Sequence, residues 1–181
     1  MGGQPLGPPQ DLVLGAAAVK SATPTLHPGA PAPHFLLRNQ HGETVDLAQL
    51  RGRPSVLMFY PFAFSRVCSA ELAELNSRWS EITALGLRVC AISCDSIHTL
   101  RAYADELGGV EFDLLSDFWP HGAAAEAYGA FDAQKGCPRR ETWILDDQLR
   151  LHRRVAAEFS TSRDLAEVLS AVRELRQDQA G

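Results

Sequence analysis

An apolar run of strand length, Ser55-Val-Leu-Met-Phe-Tyr60, is stopped by Pro61 and followed after a short loop by apolar residues at helical spacing. Cys68, Leu72, Leu75, Trp79, Ile82 and Leu85 recur at intervals of three and four, the period of one buried helix face. A buried strand that hands the chain to an amphipathic helix is the opening of an α/β unit. The spacing predicts one helix over Cys68 to Leu85, with Cys68 in its first turn and the hydroxyl of Ser65 three residues earlier.

That position alters the thiol. A helix N-terminus carries unpaired N–H groups and a partial positive charge, and both favour thiolate over thiol. A free cysteine has a pKa of about 8.5, so only a few per cent is ionised at neutral pH. Each unit of downward shift needs about 1.4 kcal/mol of preference for the anion. A helix end supplies about 0.3 to 1 kcal/mol, so a strongly activated thiolate requires another donor or cation. Ser65 and an arginine are the candidates.

Along the rest of the chain, residues 1 to 27 are rich in Gly, Pro and Ala and read as an N-terminal extension, a candidate flexible arm with one short helix over residues 10 to 19. A thioredoxin-like domain over residues 28 to 178 follows. His34 to Leu37 and Thr44 to Leu47 read as an N-terminal hairpin around the turn Asn39-Gln-His-Gly42. Further strands are expected at Ser55 to Tyr60, Leu87 to Ile92, Glu141 to Leu145 and Leu149 to Val155. Helices are expected at Ile97 to Leu107 and Ala123 to Tyr128. A final helix carries Leu165, Val168, Leu169, Val172 and Leu175 on one face, with Thr161 or Ser162 as N-cap. A βαβ unit, then a helix, a hairpin and a last helix is the order of a thioredoxin-like α/β fold, a central mixed sheet flanked by helices. Such sheets place functional groups at the carboxyl ends of their parallel strands, and Cys68 follows one such end.

Composition excludes several roles. A net charge of −5 with no Lys/Arg block argues against nucleic acid and anionic membranes as partners. Leu12 to Val19 is too short to span a bilayer, and it lacks the preceding basic residue and the cleavage site of a signal peptide. The four cysteines, at 68, 90, 94 and 137, form no CxxC and no zinc spacing, so the reading is a reducing cytoplasm. Cys90 and Cys94 would stand roughly 13 Å apart on an extended strand, too far to share one ion. No metal is expected, and His121 is expected to be a loop residue without a catalytic role.

Pro61, Ser65 and Cys68 match the Pro-x-x-x-Thr/Ser-x-x-Cys signature, and Arg140 before Thr142 resembles the arginine that completes it, so the chain resembles the peroxiredoxins, thiol peroxidases of the thioredoxin fold. Leu114-Leu-Ser-Asp-Phe-Trp-Pro-His-Gly122 with Tyr128-Gly129 is similar to the AhpE-type, one-cysteine subgroup. The resemblance implies that Cys68 is the peroxidatic nucleophile and becomes a sulfenic acid. It implies that Arg140 holds thiolate and peroxide, Ser65 Oγ donates to sulfur, and Pro61 shields it. The backbone N–H groups of Val67 and Cys68 would form an oxyanion hole. Glu71, one turn on, would orient the arginine. The resemblance also implies a hydroperoxide substrate, no cofactor and a homodimer.

Two positions depart from the family pattern. Residue 65 is Ser where Thr is commoner, which leaves χ1 less restricted. Residue 141 is Glu where a small residue is usual; strand alternation would turn Glu141 away from the face of Arg140 and Thr142, so it should not neutralise the arginine. Arg139 is a weaker candidate for the arginine. Phe62, Phe64, Phe118 and Trp119 read as core packing, as a collar around the thiolate or as a subunit contact. Cys90 reads as core. Cys137 and Cys94 are candidate resolving thiols, set against resolution by an external low-molecular-weight thiol or a thioredoxin-like protein. Two other functions use the same thiol: a disulfide reductase, disfavoured because residue 71 is not Cys, and a peroxide-sensing relay that passes oxidation to a partner thiol.

Overall fold

The computed structural model of the protein describes residues 26–180, so the short helix expected over residues 10 to 19 lies outside the described residues, as does nearly all of the N-terminal extension. In chain order the strands are β1 (Leu36–Asn39), β2 (Thr44–Asp46), β3 (Ser55–Phe59), β4 (Arg88–Ser93), β5 (Asp113–Ser116), β6 (Phe131–Asp132), β7 (Cys137–Pro138), β8 (Arg140–Leu145) and β9 (Leu151–Ala157). The helices are α1 (Arg66–Ser77), α2 (Trp79–Ala84), α3 (Ile97–Glu106), α4 (Ala123–Ala127) and α5 (Leu165–Ala180), with a 3-10 turn at Leu47–Leu50.

Seven strands form a mixed sheet in the order β2-β1-β5-β4-β3-β8-β9. The three central strands β5, β4 and β3 are parallel, while β8 and β9 extend one side and β1 and β2 the other in antiparallel register. Strand alternation then divides the core in two. Val56 and Met58 face Leu72, Leu75, Leu100 and Val172 from α1, α3 and α5. Leu57 and Phe59 face Phe35, Ile92, Trp143 and the α4 segment with Ala125 and Tyr128. A strand buried along its whole length, as β3 is, needs such covers on both faces. Leu72 is completely buried, and truncating a side chain of that kind to alanine costs about 2 to 5 kcal/mol.

Several expectations change in detail. The helix predicted as continuous from Cys68 to Leu85 begins at Arg66 and breaks at Arg78, whose backbone (φ −101°, ψ 17°) leaves helical geometry. The Ser77 hydroxyl donates to the Glu74 carbonyl at 2.7 Å, a back-bond that competes with the helix ladder and bends it. Ile82 still reaches the same core as Leu72, which is why the period survives the break. The N-cap of α5 is Asp164, not Thr161 or Ser162: its Oδ1 accepts from the N–H groups of Ala166 and Glu167. The first strand starts at Leu36, two residues later than expected. The last begins at Leu151 because Leu149, at φ 63°, belongs to the turn closed by Asp146. β5 had no sequence counterpart; its two central leucines are fully buried on opposite faces, so it offers no polar alternation to detect.

Candidate active site

β3 ends at Phe59, and the loop from Tyr60 carries the chain over the carboxyl end of the parallel strands into α1. Ser65 is the N-cap of that helix, its Oγ accepting from the Cys68 N–H at 3.3 Å. Cys68 is thus the third helical residue, as the periodicity required, and it is fully buried. The loop is held in a demanding shape. Phe64 takes φ 61°, a left-handed conformation that costs a non-glycine residue about 1 to 2 kcal/mol. Its ring packs on Tyr103 at 4.9 Å between centroids, and the Asp95 carboxylate accepts from the Ala63 N–H and the Ser93 hydroxyl, both at 2.8 Å.

Strand β8 brings Arg140 to the sulfur. Its Nη2 donates to Cys68 Sγ at 3.3 Å, its Nε to the Phe159 carbonyl at 2.7 Å, and its Nη1 to Glu71 Oε2. Glu71 lies one turn after Cys68 on the same side of α1, the placement that lets one arginine reach both. A second guanidinium completes the cluster. Arg163 donates from Nε to Glu71 Oε1 at 3.0 Å and from Nη2 to Oε2 at 2.9 Å, and its backbone N–H adds a bond to Oε1 at 2.7 Å. The side chains of Arg140, Glu71 and Arg163 are each only 2% exposed. Burial pushes the Arg163 guanidinium down from its usual value, and the Glu71 carboxylate works against that. Two guanidiniums against one carboxylate leave a positive charge with almost no water to screen it, 3.3 Å from Cys68 Sγ.

Sequence reasoning missed Arg163 and Asp95. Arg163 is 92 residues from Glu71 and stands beside a helix cap, so no spacing ties it to the thiol. Of the expected oxyanion donors, the Cys68 N–H is engaged by Ser65 Oγ, whereas the Val67 N–H has no protein acceptor among the described residues. Ser65 therefore acts here as a cap, and among the described residues its hydroxyl makes no bond to the sulfur. Pro61 is buried beside the helix start. The core-packing reading of the aromatic residues is corrected: Phe62, Phe64, Phe118 and Trp119 are 41%, 51%, 54% and 83% exposed.

Glu141 turns away from Arg140, as alternation required. Its carboxylate takes both Arg154 and Arg139 on the other face of the sheet, with Arg139 Nε at 3.2 Å. Arg139 also donates to the carbonyls of Phe131 and Gly129, so it clamps the β6–β7 segment and does not serve the thiol. All four cysteines are unpaired and buried. Burial pushes Cys90 up to about 12. It pushes Cys94 to about 12 as well, aided by Asp117 and Cys137. Cys137 is raised by burial and then by Asp132. His121 bonds the Gly136 carbonyl at 2.8 Å, a structural contact. Among the described residues, no three His, Cys, Asp or Glu side chains gather to hold a metal ion, and no helix is long and apolar enough to cross a membrane.

The chain is similar to known proteins. The AhpC/TSA family matches residues 28–154. Alkyl hydroperoxide reductase E of Mycobacterium tuberculosis is 41% identical over 122 residues, covering 67% of this chain and 79% of that protein. A thioredoxin peroxidase of Trypanosoma brucei rhodesiense is 31% identical over 153 residues, 79% of this chain and 76% of the relative. Among solved structures, AhpC of Enterococcus faecalis superposes with a TM-score of 0.75 at 23% identity, covering 85% of this chain and 93% of its own. The mitochondrial 2-Cys peroxiredoxin of Plasmodium falciparum gives 0.76 at 23% identity, over 86% and 97%. These two establish the thioredoxin-like fold, and the sequence relatives establish the rest: the chain belongs to the AhpC/TSA family, as a peroxiredoxin of the AhpE type.

Proposed function

We propose that Cys68 is the peroxidatic thiolate, that Arg140 holds it and the incoming peroxide, and that an external thiol restores it. The observation that carries this reading is Arg140 Nη2 at 3.3 Å from Sγ, in a pocket where two buried guanidiniums meet one carboxylate. Sγ attacks one peroxide oxygen, the O–O bond breaks, and the departing alkoxide or hydroxide takes up a proton. Cys68 is left as a sulfenic acid. The Val67 N–H, with no protein acceptor among the described residues, and Arg140 stabilise the charge that develops on the leaving oxygen. Pro61 closes the site to bulk water, Ser65 fixes the helix start, and Glu71 orients Arg140.

Hydrogen peroxide, organic hydroperoxides and peroxynitrite are the substrates this chemistry admits. Cys137 and Cys94 are poor resolving thiols in this conformation because burial keeps both protonated, which favours an external low-molecular-weight thiol or a thioredoxin-like protein. Four unpaired cysteines fit a reducing cytoplasm. The exposed rings of Phe62, Phe118 and Trp119 fit a homodimer contact. In the test, Cys68→Ser abolishes peroxide consumption and Cys90→Ala leaves it nearly intact; full activity in the Cys68 variant overturns the assignment. Intact mass after one equivalent of peroxide separates the resolving routes. A gain of one oxygen marks a sulfenic acid awaiting an external thiol, and loss of two hydrogens marks an internal disulfide.

A further inference from the structure

Tyr60 buries a hydroxyl that the reduced site leaves idle. The residue follows β3 and continues its alternation, so Val56, Met58 and Tyr60 share the face packed against α1, in one core with Cys68 and Leu72. Its backbone N–H bonds the Ile92 carbonyl at 3.0 Å, which fixes it at the strand end beside Ser93. The side chain is completely buried, and its hydroxyl has no hydrogen-bond partner among the described residues. Neighbouring hydroxyls are engaged elsewhere. Ser93 Oγ donates to Asp95 Oδ2 at 2.8 Å and accepts from the Asp95 N–H at 3.3 Å, and the Tyr103 hydroxyl shares a hydrogen with Ser69 Oγ at 3.1 Å. Burial pushes the Tyr60 hydroxyl well above its ordinary pKa, and negative charge on Asp95 and Cys68 adds to this, so it stays protonated at neutral pH. A buried donor without an acceptor is destabilising and rare in folded proteins.

Resting on the peroxidase reading above, we propose that the Tyr60 hydroxyl is the hydrogen-bond donor for the oxygen that Cys68 gains, and that it acts in the reductive half of the cycle. A thiolate attacks a sulfenic sulfur in line with the S–O bond that breaks, so attacker and departing oxygen stand on opposite sides of Sγ. On one side of the sulfur the segment Phe62 to Val67 reaches solvent, whereas on the other Tyr60, Leu72, Leu100 and Tyr103 are completely buried. An external thiol enters from the loop side, so the oxygen must turn inward, to the side of Tyr60, for the attack to align. There the hydroxyl donates to it, holds that rotamer about the Cβ–Sγ bond, and stabilises the charge that grows on the oxygen as it leaves. The step balances: the thiol sulfur bonds to Sγ, the S–O bond breaks, and the departing hydroxide takes the proton that the thiol released. The products are a mixed disulfide and water, and Tyr60 keeps its own proton.

Tyr60→Phe tests this by removing one oxygen atom and leaving the ring in place. Wild type and variant are oxidised with one equivalent of hydrogen peroxide, then reduced with 2-mercaptoethanol, and each half-reaction is followed by quenched-flow mass spectrometry. Oxidation should stay within about twofold of wild type, whereas reduction should be about fivefold slower, the effect of one hydrogen bond lost from a transition state. The urea midpoint should not fall, because the reduced protein loses no hydrogen bond. In the wild type itself, tyrosine absorption should shift to longer wavelength when Cys68 is oxidised, as an unpaired phenol becomes a donor, and the shift should vanish in Tyr60→Phe. Equal reduction rates in the two proteins, a slowing confined to the oxidation step, or no tyrosine shift in the oxidised wild type overturns this role of Tyr60. Failure of the wild type to gain one oxygen overturns the peroxidase reading itself, and this inference with it.

Discussion

Two arginine–glutamate clusters stand back to back on β8, built from neighbouring residues and from the same ingredients, yet water treats them differently. On one face Glu71 holds Arg140 and Arg163, with all three side chains 2% exposed. On the other, Glu141 holds Arg139 and Arg154, and although its own side chain is 2% exposed, the guanidiniums are 45% and 49% exposed. Each has one cation too many. Solvent screens the surplus on the Glu141 side, so that cluster needs nothing more. The surplus on the Glu71 side lies in a low-dielectric pocket, with the sulfur of Cys68 3.3 Å from Arg140. Identical charge counts therefore produce a structural clamp on one face and, in the function proposed above, the site that holds the Cys68 sulfur on the other, and burial is what separates them.

The sharpest way to break the comparison is to delete each carboxylate. Glu71→Ala strands two buried guanidiniums and should cost about 3 to 5 kcal/mol of stability by urea denaturation. Glu141→Ala releases arginines that already touch water and should cost about 1 kcal/mol. Equal losses would mean that exposure of the partners is not what distinguishes the clusters. Next in size, Arg140→Gln removes the donor that faces the sulfur and should slow oxidation of Cys68 by hydrogen peroxide about 100-fold in stopped flow, whereas Arg139→Gln should change that rate less than about twofold. Comparable rates in both variants would move the chemistry away from β8.

How far the sequence reveals this difference depends on which signal each residue leaves. The strand-to-helix step at Tyr60 to Cys68 was legible because β3 and α1 write their burial as period and length. Glu71 was legible because a helix turn fixes its side relative to Cys68, and the outward turn of Glu141 because a strand alternates. Arg163 left no trace. It reaches Glu71 from across 92 residues, through a loop whose geometry nothing local dictates, and without it the surplus charge that separates the two faces is invisible. Asp95 is hidden in the same way, since its grip on the Ala63 N–H is a contact between loops. β5 was missed for the opposite reason: a short strand buried on both faces carries no alternation.

A smaller effect sharpens the same contrast through pH. Burial raises a thiol's pKa where no cation outweighs it, and a raised pKa keeps the thiol protonated on the acid side, so Cys90, despite Arg88, and Cys94, both pushed up to about 12, stay neutral at neutral pH. Their alkylation by iodoacetamide in the folded protein should be slow and should rise about tenfold per pH unit until the protein unfolds or pH nears those values. Reaction of either at neutral pH as fast as a free cysteine would show that burial does not govern these thiols.

The central question is whether the surplus charge in the buried cluster is met by sulfur. Thiolate absorbance in the ultraviolet, recorded at neutral pH for the wild-type protein and for Cys68→Ser under native conditions, reads this directly. A difference equal to one thiolate per chain is expected, retained in Glu141→Ala and lost in Arg140→Gln. Wild-type and Cys68→Ser spectra that coincide at neutral pH would contradict it.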